Sequence, residues 1–202
     1  MAASDKIALL PAGGNYLALM QKIVSDNVKA PELVNSLWKY FEGRIKCEII
    51  DDDRQPSVIK FTQRVVDEKD ISEVHLILRH NDRLEEALIH ELLHAELYRR
   101  GYPKWYLHAQ EEDLWQEGAD ILNLAEHIIM LPSFLSIGYR EERFVGPSKA
   151  MSEEGRQVEA DLAAMGELLF TPKSFVECIS EYLRGRGIEF VVPYHSRIEI
   201  RE

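Results

Sequence analysis

Apolar residues recur along this chain at two spacings, and the change between them marks out its elements. Tyr16, Leu17, Leu19, Met20, Ile23 and Val24 repeat at helical spacing. Pro31 suits a first helical position. Leu33, Val34, Leu37, Trp38, Tyr40 and Phe41 then predict a second helix, which Gly43 can close in the left-handed region. The aromatic cluster in this segment reads as core. Three strand-like runs follow, over Ile45–Ile50, 57–66 and 73–79, rich in Val, Ile, Leu and Phe. Between the first two lies Asp51-Asp52-Asp53. It lacks the Gly and the distal Glu of a calcium loop and reads as a solvated turn.

Asn81 or Asp82 can cap the next helix, whose first turn holds Glu85 and Glu86, favourable to the helix dipole. That helix is expected to stop at Arg99-Arg100-Gly101, and 102–106 reads as a loop. A long helix from about residue 111 to 131 should end before Pro132. Residues 133–150 read as a loop and 151–170 as a helix. Thr171-Pro172 opens a further helix with Phe175, Val176, Ile179, Tyr182 and Leu183 on one side and Gly185 at its end. Residues 188–192 and 197–200 look like strands. The pattern is that of an α+β protein: a small mixed sheet, then a mainly helical C-terminal part.

The chain has 202 residues, 46% of them hydrophobic, which is enough for a sizeable core. We expect one domain over 1–150, with 151–202 a helical extension packed on it. The net charge of −11 argues against nucleic acid as a partner, since phosphate binding needs a basic stripe. The two helices near the C-terminus could suggest a DNA-reading unit, but they offer few basic residues beyond Lys173, Arg184 and Arg186. Cys47 and Cys178 have no ligand spacing and read as thiols in a reducing compartment. The N-terminal apolar run is broken by Pro11, Gly13 and Gly14, and no run of about 18 apolar residues suggests a membrane span. The expectation is a soluble, cytoplasmic protein with no membrane partner.

The chemistry is concentrated in His90-Glu91-Leu92-Leu93-His94. Residues four apart on a helix share a face, so two imidazole nitrogens can aim at one ion, as Zn²⁺ requires of its first two ligands. Glu91 is offset by one residue. Its carboxylate can flank a water at the metal and take its proton. With 7 His and 24 Glu in the chain, about 0.03 such matches arise by chance. The flanking Leu84, Leu88, Ile89, Leu92, Leu93 and Leu97 make the helix a buried one, where two imidazoles and a carboxylate need a metal or partners.

A zinc enzyme needs a third protein ligand and an open fourth position. The segment Asp113-Leu114-Trp115-Gln116-Glu117-Gly118-Ala119-Asp120 follows, with 22 residues between His94 and Glu117. Together the two segments resemble the zincin metallopeptidases, and among them the gluzincins, over about residues 45–132. The resemblance implies Zn²⁺ held by His90, His94 and Glu117, with Glu91 as general base and the small sheet packed on the motif helix. It also implies that 73–79 forms a sheet edge to which a substrate peptide can add. Asp120, one turn on, could orient a ligating His. Alternative third ligands are Glu126, on a stripe with Ala119, Leu122 and Ile129, and His127. The ending Ala125-Glu126-His127-Ile128-Ile129-Met130-Leu131-Pro132 resembles that of the peptidase family that cleaves phage repressors and governs the radiation response. There the ligating Glu lies upstream on the same helix, which points to Glu117. His108 is a minor candidate, and His75 and His80 read as surface residues. Tyr98, Tyr102, Tyr106, His108, Tyr139, Tyr194 and His195 could each stabilise an oxyanion, and the sequence does not choose among them. The exopeptidase signature Gly-x-Met-Glu-Asn is absent, so the expected activity is that of an endopeptidase on a peptide or protein substrate. The alternatives are a zincin-fold binding or regulatory module without turnover, and a helical structural domain with a chance motif.

Overall fold

The computed structural model describes residues 15–51, 57–66, 69–80, 83–103, 106–108, 112–144 and 153–191. The expected cap at Asn81 or Asp82, the strand at 197–200, and Tyr194 and His195 lie outside these. Among the described residues the protein is mixed α+β, with six α-helices, a three-stranded sheet and a two-stranded one. It divides into two compact units, Met1–Ala95 and Glu96–Glu202.

The first unit opens with α1 (Tyr16–Ile23), capped by the Asn15 side chain, which accepts from Ala18 N at 3.0 Å. Next comes α2 (Ala30–Tyr40), with Pro31 in its first turn and Gly43 at positive φ beyond its end. Three strands follow: β1 (Ile45–Ile50), β2 (Val58–Val66) and β3 (Lys69–Arg79). Their order in the sheet is β1-β3-β2, with β1 parallel and β2 antiparallel to β3. In register, Ile45 faces Val74, Cys47 faces Leu76 and Ile49 faces Leu78, so one face of the sheet is apolar and buried. Met20, Val24, Val34, Leu37 and Phe41 supply the helical share of the buried apolar residues.

One expectation fails here. Residues 73–79 do not form an edge. They belong to β3, which is the central strand, and its backbone pairs on both sides with β1 and β2. A substrate strand has no free hydrogen-bonding row there. The fully buried Val74, Leu76 and Leu78 fit a central position.

The last helix to begin in the first unit is α3 (Leu84–Arg99), and the division falls inside it. The second unit continues with β4 (Tyr106–His108), α4 (Glu112–Ile137), α5 (Glu153–Met165), α6 (Pro172–Gly185) and β5 (Glu189–Val191). Strands β4 and β5 pair antiparallel. Thr171 caps α6 with Pro172 next, as the sequence predicts. Pro132, by contrast, does not end α4, which runs five residues further to Ile137. A proline inside a helix removes one hydrogen bond and costs about 3 kcal/mol. Burial of Phe134 offsets this: its ring stacks on Tyr139 at 4.9 Å and meets Phe144 edge-on at 5.0 Å.

Residues Asp113–Ile137 have the length and hydropathy of a membrane span. Core helices pass the same test, and this one buries Ile121, Leu122, Ala125, Ile129, Met130 and Phe134.

Candidate metal centre

Helix α3 carries the motif, and its ends account for its stability. Glu85 and Glu86 occupy the first turn. In the last turn Glu96 receives both Arg99 nitrogens, at 2.7 and 2.5 Å. Gly101, at φ +90°, makes the stop: its N–H bonds Tyr98 O and that of Tyr102 bonds Leu97 O, both at 3.0 Å. The side chains that follow this reversal are buried too. Tyr102 donates to Leu169 O at 3.2 Å, and burial raises its phenol pKa.

Most of α3 is inaccessible. Leu88, Ile89, Leu92, Leu93, Ala95 and Leu97 are all buried. The partly open positions after the first turn are Ala87, His90, Glu96 and Tyr98. With the buried His94, positions 87, 90, 94 and 98 form one continuous stripe along the helix. The His90 and His94 rings lie 5.1 Å apart between centroids, inclined at 69°. Glu91 is 6% exposed and lies on the flank of the same face.

Helix α4 carries Glu117, Glu126 and His127, and the structure treats them differently. Glu117 is engaged by Arg186, whose Nη1 donates to its Oε1. Arg186 lies over the Tyr182 ring at 5.3 Å, Tyr182 donates to Asp161 Oδ2 at 2.9 Å, and Gln157 donates to the other Asp161 oxygen at 2.7 Å. The hydrogen bond from Gln157, then that from Tyr182, holds the Asp161 pKa below its ordinary value. Burial, then the bond to Asp161, raises that of Tyr182. This chain of contacts ties α4, α5 and α6 together within the second unit, and it gives Glu117 a structural partner. Asp120 is exposed and accepts from Gln116 Nε2 at 3.0 Å. Glu126 is buried.

His127 stands apart from these. Its ring meets Phe144 edge-on at 5.3 Å, and Phe144 belongs to the Phe134–Tyr139 aromatic cluster. Phe144 is placed by the short 3₁₀ turn Glu141–Arg143, which it closes with a hydrogen bond to Glu141 O at 2.9 Å. His90, His94 and His127 bring one ligand nitrogen each to within 4.8 Å of one another. Glu117, Glu126 and Asp120 are not part of that group. Of the candidates raised by the sequence, then, His90 and His94 come together with the alternative His127.

No family model, curated protein or solved structure matches this chain. The likeness to zincins therefore rests on the motif residues, and the fold stands as mixed α+β.

The donor set suits zinc. Imidazole nitrogens are among the donors that zinc takes.

The sequence holds one signal for His127. His127 is the only histidine among the third-ligand candidates on α4. Glu117, by contrast, pairs with Arg186.

Proposed function

We propose that this protein is a zinc-dependent hydrolase of amide bonds, with a peptide as substrate. His90, His94 and His127 hold the metal and Glu91 is the general base. The observation that carries this reading is the group of three histidine nitrogens, two of them from a His-Glu-x-x-His helix with its glutamate buried alongside. The expected ligand Glu117 gives way to His127 in this reading because Arg186 already holds the Glu117 carboxylate.

Bound Zn²⁺ supplies Lewis acidity and eases the ionisation of water near neutral pH. The chain's own groups do the rest. The three imidazoles act as neutral donors and fix the reaction centre. Glu91 accepts a proton from the attacking water as its oxygen bonds to the carbonyl carbon, then returns that proton to the leaving amine nitrogen. Leu88, Ile89, Leu92 and Leu93 surround α3 with apolar packing, so the helix that carries these groups is held rigid. The half-open stripe through Ala87, His90 and Tyr98 leaves the motif face accessible to a substrate.

Metal analysis and one isosteric variant test this. The purified full chain should carry close to one zinc per molecule. Labelled casein and a mixed peptide library serve as substrates. Glu91→Gln should keep the zinc and lose about 10²- to 10⁴-fold of any hydrolysis. A chain that takes up no zinc, or a Glu91→Gln protein that hydrolyses as well as the parent, overturns the proposal.

A further inference from the structure

The half-open stripe of α3 contains one polar group that the metal and the general base leave unused. Tyr98 lies four residues beyond His94 and eight beyond His90. At 100° per residue it falls between His94 and Glu91 around the helix axis. It is half-buried, in line with Ala87, His90 and His94, while the intervening Leu92, Leu93, Ala95 and Leu97 are sealed. Helical side chains lean towards the N-terminus and cover the turn before their own. In the usual helical rotamers, a side chain at position 98 covers the turn of His94. The reversal at Gly101 fixes this last turn, because Gly101 N bonds the carbonyl of Tyr98 itself.

We infer that the Tyr98 phenol is a further catalytic residue that donates a hydrogen bond to the substrate oxygen on which negative charge develops. This rests on the hydrolase reading above. When the water oxygen bonds to the carbonyl carbon, the C=O π pair moves onto oxygen and the water's proton goes to Glu91. Tyr98 transfers nothing. Its O–H strengthens as a donor to that oxygen as the charge grows, and relaxes when the C–N bond breaks and the carbonyl re-forms. Ala87, three turns before Tyr98 on the same stripe, presents only a methyl group beside His90.

The test does not need the natural substrate. Acetohydroxamate places an anionic oxygen at a catalytic zinc or cobalt centre, and Co²⁺ in a histidine site reports by its visible absorption. The full chain is loaded with Co²⁺ and titrated with acetohydroxamate. Tyr98→Phe should leave the cobalt spectrum unchanged and weaken hydroxamate about 10- to 100-fold, the worth of one hydrogen bond to a charged oxygen. Where the Phe variant does not fold, Tyr98→Leu gives the same comparison. Equal affinity in parent and variant overturns the inference about Tyr98 and leaves the hydrolase reading standing. So does a cobalt-loaded parent that takes no hydroxamate. A parent that takes up no Co²⁺ overturns the hydrolase reading itself.

Discussion

Helices α3 and α4 both carry histidines of the candidate centre, and they present them by opposite means. On α3, His90 and His94 are set by the backbone: one turn of helix places the two rings 5.1 Å apart whatever surrounds them. On α4, His127 is set by its neighbours, through the edge contact with Phe144 and the cluster of Phe134 and Tyr139 behind it. A pair four residues apart is a local property of the chain. A ring held by residues 7, 12 and 17 positions away depends on the helix continuing past Pro132 and turning back at Glu141–Arg143. The difference predicts where the centre is robust and where it is fragile.

The largest effect should separate the two third-ligand candidates. His127→Ala should weaken zinc about a hundredfold or more, since structural zinc affinities divided among few ligands give each a large share. Glu117→Gln should leave zinc binding unchanged and lower thermal stability instead, by loosening Arg186. Competition against a chromophoric chelator measures the first and thermal melting the second. If Glu117→Gln loses the metal and His127→Ala keeps it, the assignment is reversed.

Next in size is the support behind His127. Phe134→Ala removes a fully buried ring from the aromatic cluster and should cost about 3–5 kcal/mol. It should also weaken zinc, because the residues that orient a ligand typically count for 10- to 100-fold in affinity. A truncation of similar size on the motif side, such as Leu92→Ala, should destabilise comparably and leave zinc affinity nearer to that of the parent. Denaturant unfolding with parallel metal titration reads both quantities. Equal loss of zinc in the two variants would remove the contrast between backbone-set and neighbour-set ligands.

That contrast also explains what could be read in the sequence. Strand β1 matches its expected limits, the helix at Pro31 begins one residue earlier at Ala30, and that at Thr171-Pro172 begins where its cap puts it. Each is fixed by residues within a few positions. The error at 73–79 is of another kind. Alternation identifies a strand, but whether it sits at an edge depends on which other strands flank it, and that is decided by the β2–β3 hairpin laying β3 against β1. The extension of α4 past Pro132 is also a tertiary effect, since Phe134 becomes buried only when Tyr139 and Phe144 fold back. The partner of Glu117 lies 69 residues away in Arg186, beyond the reach of any local pattern.

A smaller effect concerns the sheet, where pH acts through Cys47. Cys47 is buried in β1, and desolvation, with the charge of Glu48 adding to it, pushes its thiol pKa up from 9.0 to about 12. The folded state thus keeps the proton that the unfolded chain gives up. This contribution is complete below pH 9 and declines as pH rises from 9 towards 12, by about 4 kcal/mol at most. Cys47→Ala should flatten that part of the stability-against-pH curve relative to the parent. If the two curves run parallel from pH 9 to 11, the thiol is not kept protonated by the fold.

The smallest effect is one of rate. Cys178 on α6 is partly exposed, while Cys47 is sealed and protonated across the neutral range. The thiolate is the reacting form, so burial and the raised pKa both protect Cys47. Iodoacetamide at pH 8 should label Cys178 alone in the native protein and both cysteines after denaturation, as peptide mass mapping would show. The same experiment compares the two units, because native labelling of Cys47 reports opening of the β1–β3 pair. Appreciable Cys47 labelling before Cys178 is consumed would mean that the sheet opens more readily than the packing of Cys47 against the Leu76 register implies.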